Sequence, residues 1–261
     1  MIPDGLVEAL RRAERVAVLS GAGISAESGI PTFRDAQTGL WAQFDPQELA
    51  TPQAFRRNPR LVWEWYAFRR KLIADKTPNR GHVALAVMEA HVPAFILITQ
   101  NIDGLHQRAG SRRVIELHGN IRRVKCFDEC RPTSEWLPTE ADADAHGGEV
   151  PPRCPYCGAW LRPDVVWFGE LLPTEALEAA RLAAENCQLF FSVGTSGLVQ
   201  PAASLPFWAL EHGAVVVEVN PEETPLTAWA TYALRGPAGV ILPALVQRAW
   251  PSDAPLIVTA A

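Results

Sequence analysis

The sequence predicts an α/β fold in which a mostly parallel sheet is interrupted by two inserted segments. Short apolar runs with little polar alternation recur along the chain, and segments with helical periodicity separate them. Runs of this kind are typical of strands buried on both faces of a parallel sheet. Two stretches break the pattern, because one is rich in aromatic residues and the other contains paired cysteines. The predicted strands are residues 16–19, 94–98, 114–115, 189–193, 214–219 and 240–242.

The bulk composition favours a globular protein and argues against nucleic-acid-binding, membrane-spanning and secreted classes of protein. Of the 261 residues, 48% are hydrophobic and 20% are charged, which suits a globular chain with a sizeable core. The net charge of -5 argues against a dedicated nucleic-acid binder. No apolar stretch approaches the ~20 residues that span a bilayer, and the first residues do not resemble a secretory signal. We therefore expect a cytoplasmic protein with neither a nucleic-acid nor a membrane partner.

The chain begins with a predicted helix and strand that lead into a glycine-rich turn. Residues 3–14 place Leu6 and Leu10 at helical spacing, and the first strand follows. Residues 21–26 (Gly-Ala-Gly-Ile-Ser-Ala) then match the G-x-G-x-x-G/A pattern of dinucleotide-binding turns. Because residues 29–31 (Gly-Ile-Pro) would end a helix within two turns, we predict a cofactor loop there. An ordinary glycine-rich turn is the alternative interpretation.

The aromatic-rich stretch, residues 31–80, is predicted to be an insertion with helices and a loop. A helix predicted over residues 61–73 places Tyr66 and Arg69 three positions apart, so that both project from one face. A guanidinium fork and a phenol together suit the binding of a carboxylate. The alternative is a surface pair without a function, since helix surfaces carry arginine routinely.

Polar residues or glycines follow five of the predicted strands. In an open α/β sheet the carboxyl ends of the strands form the edge at which ligands bind. We therefore predict one site assembled from distant parts of the sequence. The five clusters are Ser20-Gly21, Thr99-Gln100-Asn101, Glu116-Leu117-His118, Gly194-Thr195-Ser196 and Asn220-Pro221.

His118 is the preferred general base among the six histidines. It follows a predicted strand, so its imidazole is expected at the binding edge, with a pKa suited to proton transfer. Gln100, Asn101 and Asp103 offer amide and carboxylate groups that could orient a ligand or a water. A structural histidine and simple turn capping are the respective alternatives.

The second insertion, residues 120–165, contains four of the five cysteines. Cys126-x3-Cys130 and Cys154-x2-Cys157 are separated by 23 residues, a pattern typical of two ligand pairs that close on one tetrahedral Zn²⁺. Four protein ligands leave no open position for water, so the predicted zinc is structural. Cys187 stands alone in an apolar setting and is expected to be a core residue.

Taken together, these motifs resemble the sirtuin family in order and spacing over nearly the whole chain. The resemblance implies a large Rossmann-like domain (about 1–30, 81–119 and 170–261), the insertion at about 31–80, the zinc module at about 120–165, and a cleft between them for NAD and an acylated lysine. The motifs that carry it are GAGIS (21–25), ESGIPTFRD (27–35), TQNID (99–103), ELHG (116–119), the cysteine pairs, VVWFGE (165–170), GTS (194–196) and VN (219–220).

The resemblance also implies roles for individual residues. His118 would be the catalytic base, aided by Asn101, and Val166, Phe168, Gly169 and Glu170 would line the channel for the substrate backbone. The first cysteine pair departs from the family's usual two-residue spacing, which makes Cys130 the least certain zinc ligand. The residues expected to bind NAD are Gly21, Ala22, Gly23, Ser25, Ala26, Thr32, Phe33, Arg34, Gln100, Asn101, Ile102, Asp103, Gly194, Thr195, Ser196, Asn220 and Ala238.

The segment around Tyr66 and Arg69 is similar to that of the sirtuin subgroup that removes succinyl and malonyl groups, in which these side chains bind the distal carboxylate. The implied reaction consumes NAD, releases nicotinamide and transfers the acyl group to give 2'-O-acyl-ADP-ribose, with acetyl-lysine as a further substrate. The alternatives are a protein that is mainly a deacetylase, a dehydrogenase, and a non-catalytic module that binds NAD, ADP-ribose or acylated peptides. The oligomeric state is left open.

Overall fold

Helices separate most of the strands of the main sheet, as the apolar runs predict. The computed structural model describes residues 2–31, 45–131, 137–138 and 149–253. None of the helices in these ranges is both long and apolar enough to cross a bilayer. The elements are α1 (Asp4–Arg12), β1 (Arg15–Ser20), α2 (Pro46–Leu49), α3 (Pro52–Arg57), α4 (Pro59–Ala74), α5 (Arg80–His91), β2 (Ala94–Thr99), α6 (Leu105–Arg108), β3 (Val114–Glu116), β4 (Gly119–Cys126), β5 (Leu137–Pro138), β6 (Leu161–Val165), α7 (Thr174–Asn186), β7 (Leu189–Val193), α8 (Leu205–Glu211), β8 (Val215–Asn220), β9 (Tyr232–Arg235) and α9 (Ala238–Ala249).

The main sheet has six parallel strands in the order β3-β2-β1-β7-β8-β9. The chain builds outward from β1 through β2 to β3, and then returns to the other side of β1 with β7, β8 and β9. The order of the strands therefore reverses between β1 and β7. A reversal of this kind opens a crevice at the carboxyl ends of the strands, which is where a Rossmann-like sheet binds ligands.

Five of the six predicted strands are confirmed, and the sixth prediction is wrong. Residues 240–242 lie in α9, because the apolar positions continue at helical spacing through Leu245 and Val246, which pack into the core. The sixth strand of the sheet is instead β9, whose short Tyr-Ala-Leu-Arg sequence gives a weak strand signal.

Both faces of the main sheet are covered by helices. On one face Leu6 of α1, Leu85 of α5 and Leu242 of α9 belong to one buried cluster with the side chains of the strands. On the other face α7 and α8 contribute Ala184 and Leu205 to a second cluster. Burial on both faces explains why the strands lack polar alternation.

A smaller lobe combines the two inserted segments. Strands β5, β4 and β6 form an antiparallel sheet in that order, and α3 and α4 pack against it. Phe55 and Trp65 from the helices share a buried cluster with Ile121 and Val165 from the cysteine-containing insertion. The two insertions predicted as separate modules therefore share one hydrophobic core.

Candidate active site and metal centre

The glycine-rich turn after β1 packs directly against the loop after β7. The Gly23 N–H donates to the Gly194 carbonyl oxygen at 2.8 Å. A Cβ on Gly23 would lie 2.8 Å from the Gly194 Cα, and Gly194 itself has a φ of 58°. These glycines are therefore required for the two loops to meet at the switch point. A 3-10 helix over Ala22–Ser28 follows in place of a long crossover helix, as predicted.

Amide side chains join the loops after β1, β2 and β7. Gln100 Nε2 donates to Thr195 Oγ1 at 3.0 Å. This hydrogen bond joins the loops after β2 and β7, the two strands that flank β1. Asn101 Nδ2 donates to the Gly21 carbonyl oxygen at 3.0 Å and lies 3.2 Å from Ser25 Oγ. Residues predicted to form one site from distant parts of the sequence are thus in direct contact.

Ser25 is the centre of a buried polar cluster behind this loop. Its hydroxyl donates to Asp103 Oδ2 at 2.8 Å, and His82 Nε2 lies 3.4 Å from its oxygen. His82 Nδ1 accepts the Asn79 N–H at 3.3 Å, so Nε2 carries the proton of the neutral ring. Burial lowers the pKa of His82 to about 4 and raises the pKa of Asp103, whose carboxylate is partly compensated by Ser25 and the Leu105 N–H.

His82 is a site-neighbouring residue that the sequence analysis missed. It lies in the first turn of α5, far along the chain from the glycine loop, and forms a capping box with Asn79. The capping pattern explains its position on the helix but not its contact with Ser25. Only the packing of α5 behind the first loop brings these side chains together.

His118 has the hydrogen bonding expected of a general base. Its Nδ1 lies 2.9 Å from the Gln100 carbonyl oxygen, which can only accept, so Nδ1 carries the proton. Nε2 makes no hydrogen bond to any residue that the structure describes and is the nitrogen left to accept a proton. Burial lowers the pKa of His118, so the ring is neutral at neutral pH.

The segment after β6 runs alongside His118. The Val166 N–H donates to the His118 carbonyl oxygen at 3.0 Å, and the Phe168 N–H donates to the Ala50 carbonyl oxygen at 2.9 Å. Phe168 and Gly169 are exposed, whereas the carboxylate of Glu170 binds Arg162 at 2.5 Å. The carboxylate of Glu170 therefore already has a partner within the protein.

Tyr66 and Arg69 lie inside the small lobe. Tyr66 is 3% exposed and its hydroxyl accepts the Trp167 Nε1–H at 3.0 Å. Burial raises the pKa of Tyr66 to about 12. Arg69 is partly buried with its guanidinium 4.9 Å from the Trp65 ring centre, and desolvation lowers its pKa. This burial argues against the surface pair considered above.

The four paired cysteines come together as a metal site. Their sulfur atoms all lie within 4.8 Å of one another, with Cys126 to Cys157 at 3.5 Å and Cys130 to Cys154 at 3.6 Å. Four thiolates ~2.3 Å from a tetrahedral zinc ion would be roughly 3.8 Å apart, so the donor set fits zinc. Cys130 is included despite its spacing, because Glu129 adopts a left-handed conformation with φ 49° that closes the longer loop.

The other predicted NAD-site residues lie partly in the loops after β1, β2 and β7 and partly elsewhere. Ala22 and Ala26 belong to the 3-10 helix, Ile102 lies between Asn101 and Asp103, and Ser196 follows Thr195. Asn220 ends β8 and donates its side-chain amide to the Glu222 carbonyl oxygen at 3.0 Å, while Ala238 is buried at the start of α9. The predictions for Thr32, Phe33 and Arg34 lie outside the described residues.

Comparisons with known proteins agree with this arrangement. The sequence model of the Sir2 family matches residues 21–201. A relative from Aquifex aeolicus named NAD-dependent protein deacylase is 58% identical over 212 residues, which are 81% of this chain and 85% of the relative. A solved complex of a Sir2 homologue with NAD has a TM-score of 0.87 at 44% identity, covering 97% and 95% of the two chains. A Sir2 protein bound to an acetylated peptide has a TM-score of 0.84 at 31% identity, covering 95% and 98%.

Proposed function

This chain belongs to the Sir2 family, and from that premise we propose that it removes succinyl and malonyl groups from protein lysines in preference to acetyl groups. The general activity is NAD-dependent protein deacylation. The narrower proposal is carried by one observation, the burial of Tyr66 against Trp167 of the segment that follows β6, with Arg69 partly buried one turn further along α4. The guanidinium of Arg69 and the hydroxyl of Tyr66, shielded from solvent within the small lobe, suit an acyl group that ends in a carboxylate.

The electrostatic argument concerns the cost of burying a guanidinium. Desolvation lowers the pKa of Arg69, which shows that its surroundings disfavour the cation. An acyl carboxylate would offset that cost through a charge-assisted hydrogen bond. An acetyl group is smaller and lacks the carboxylate, so we expect acetyl-lysine to be a slower substrate.

NAD is consumed as a co-substrate, and when bound it supplies the ribose carbon to which the acyl oxygen of lysine becomes attached. We propose that it lies along the carboxyl edge of β1, β2, β7 and β8, over the glycine turn. Gln100, Asn101 and Thr195 would orient it through the amides and hydroxyl that join these loops. Asp103, held by Ser25, would face the nicotinamide carboxamide.

His118 would act through Nε2, the nitrogen left without a proton by the bond of Nδ1 to Gln100. We propose that it accepts a proton from a ribose hydroxyl, which makes that oxygen the nucleophile toward the acyl carbon. One water then adds at the acyl carbon and the lysine nitrogen leaves, so that the products are free lysine, nicotinamide and 2'-O-acyl-ADP-ribose. The Val166 N–H bond to the His118 carbonyl keeps the base next to the proposed peptide channel.

The four cysteines form a structural zinc site in the small lobe. We propose the division stated above, with the large domain at about 1–30, 81–119 and 170–261, the helical insertion at about 31–80 and the zinc module at about 120–165. We further propose the cytoplasm as the working compartment, because a reducing environment keeps clustered thiols available to a metal.

The test is mass spectrometry of matched peptides that carry acetyl-lysine, butyryl-lysine or succinyl-lysine. Each peptide is incubated with the purified protein, with and without NAD, and the peptide mass and free nicotinamide are followed together. We expect NAD-dependent loss of succinyl to be faster than loss of the two uncharged groups. Faster loss of acetyl would disprove the proposed acyl preference while leaving the family activity intact, and NAD binding without any turnover would favour a binding module.

A further inference from the structure

Trp167 lies among the proposed channel residues but points the opposite way. Its neighbours Val166 and Phe168 are partly or largely exposed, whereas Trp167 is 2% exposed and belongs to the core of the small lobe. Val166 and Phe168 therefore lie on the side of the proposed channel, whereas the Trp167 indole points toward α4. There it meets Tyr66.

The contact between Trp167 and Tyr66 has a defined direction. An indole N–H can only donate, so at 3.0 Å the Tyr66 oxygen must be the acceptor. The Tyr66 hydroxyl can still donate its own proton. It has no acceptor for that proton in the part of the chain that the structure describes. A buried donor without an acceptor is costly, and a ligand that supplies the acceptor recovers that cost.

The indole is fixed in this orientation from its other side. The guanidinium carbon of Arg162 lies 3.3 Å from the centre of the Trp167 ring, and Arg162 is itself 2% exposed. Arg162 is tied to the Glu170 carboxylate and to the Val165 carbonyl oxygen. Phe55 packs against the same ring with centroids 5.3 Å apart. Rotation of the indole away from Tyr66 would break this packing.

We propose that Trp167 is a specificity-determining positioning residue, whose indole N–H occupies the Tyr66 oxygen and so directs the Tyr66 hydroxyl proton toward the carboxylate of the acyl group. The inference rests on the proposed function, since it assumes that Tyr66 and Arg69 receive that carboxylate. Trp167 acts through Tyr66 and needs no contact with the substrate. Burial keeps Tyr66 protonated, because its pKa of about 12 exceeds any working pH.

The experiment is a double-mutant cycle with two substrates. Wild type, Trp167→Phe, Tyr66→Phe and the double variant are assayed with succinyl-lysine and with butyryl-lysine, an uncharged acyl group with the same number of carbons. Butyryl turnover measures any packing damage, so the result is the ratio of the two kcat/KM values. A hydrogen bond to a carboxylate corresponds to a loss of about 10- to 150-fold in this ratio, expressed mainly in KM. We expect each single variant to show it and the double variant to lose little more than Tyr66→Phe.

A second variant guards against poor folding of Trp167→Phe. Benzothienylalanine at position 167 keeps the bicyclic shape and replaces the N–H by sulfur, and it should reduce the ratio to a similar extent. An unchanged ratio in both Trp167 variants, or losses that add fully in the double variant, would overturn the inference. A wild-type enzyme without a preference for succinyl would instead disprove the proposed function itself, so the two failures are distinguishable.

Discussion

The protonation of His118 is set by one hydrogen bond and by burial of the ring. The Gln100 carbonyl oxygen holds the proton on Nδ1, and burial disfavours the doubly protonated ring. Because its pKa is lowered from 6.5, the neutral base is already formed on the acid side of neutrality. The residue is therefore ready to accept a proton at physiological pH.

For this reason we expect kcat/KM to rise with pH along an acid limb whose midpoint lies below 6.5 and then to level off. Replacing His118 by Tyr should lower turnover of every acyl group by about 100-fold or more, since a positioned base contributes that much. A pH-rate profile and single-turnover assays of the variant check both points. A midpoint above 6.5, or normal turnover in His118→Tyr, would remove His118 as the base.

Arg69 should affect only acyl groups that carry a charge. Replacing it by Met keeps the apolar stem and removes the cation, so we expect kcat/KM for succinyl-lysine to fall by about 10- to 100-fold while butyryl-lysine is affected little. Lys71→Met on the same helix is the matched control, because Lys71 is exposed. Equal losses on both substrates would show that Arg69 stabilises the fold and does not bind the substrate carboxylate.

At the scale of elements, the cysteine loop shows how an irregular spacing is accommodated. Glu129 takes the left-handed conformation with φ 49°, which ordinarily costs a residue with a Cβ roughly 1–2 kcal/mol. That local cost allows Cys130 to reach the other three sulfur atoms. Glycine would adopt the same conformation without the steric cost.

Glu129→Gly should therefore retain zinc and unfold no more readily than the wild type, and it should be more stable than Glu129→Val by about 1–2 kcal/mol. Both variants lose the exposed pair with Lys125, so comparing them cancels that effect. Urea unfolding and zinc content are the measurements. Equal stability of the two variants would mean that the backbone conformation is not what limits the loop.

The elements also show where reading the sequence succeeds and where it fails. Strands β1, β2, β7 and β8 were predictable because burial on both faces demands continuous apolar runs. The strand predicted at residues 240–242 was wrong because a run of three apolar residues fits a helix as well as a strand. Only the helical spacing of the apolar residues that follow distinguishes the two. The clustering of the cysteines was predictable from their pairing, although the closure through Glu129 that brings Cys130 into the cluster was not.

For the molecule as a whole, the strand ends explain why most of the candidate site could be located from sequence. Parallel strands bring their carboxyl ends to one edge, so Gly21, Asn101 and His118 had to be close. The contacts that depend on packing between elements carry no comparable signal. The bond from Trp167 to Tyr66, and the placement of His82 behind Ser25, follow only from how helices dock on the sheets.

The buried histidine behind the glycine loop should make global stability depend on pH. His82 has a folded pKa of about 4 against 6.5 in the unfolded chain, so the unfolded state binds more protons in between. Stability contributed by the neutral ring is complete above 6.5 and is lost as the pH falls toward 4. From pH 7 to pH 5 this loss is about 2 kcal/mol.

Urea unfolding of the wild type and of His82→Gln at pH 7 and pH 5 measures this contribution. The variant cannot be protonated there, so its stability should fall less between the two pH values than that of the wild type. Parallel declines in the two proteins would assign the acid sensitivity to other groups, such as His106, whose pKa burial also lowers.

The shared core of the small lobe has a consequence for how the chain acquires its structure. Trp63 of α4 packs with Val124, Cys154 and Leu161, so the helix that carries Tyr66 and Arg69 is joined to the zinc-binding half across some sixty or more positions of sequence. Strands β2 and β3 of the main sheet lie within that interval. The lobe is thus assembled from two halves that are distant in sequence, and we expect α4, with the proposed acyl-binding residues, to become ordered only when both halves have met.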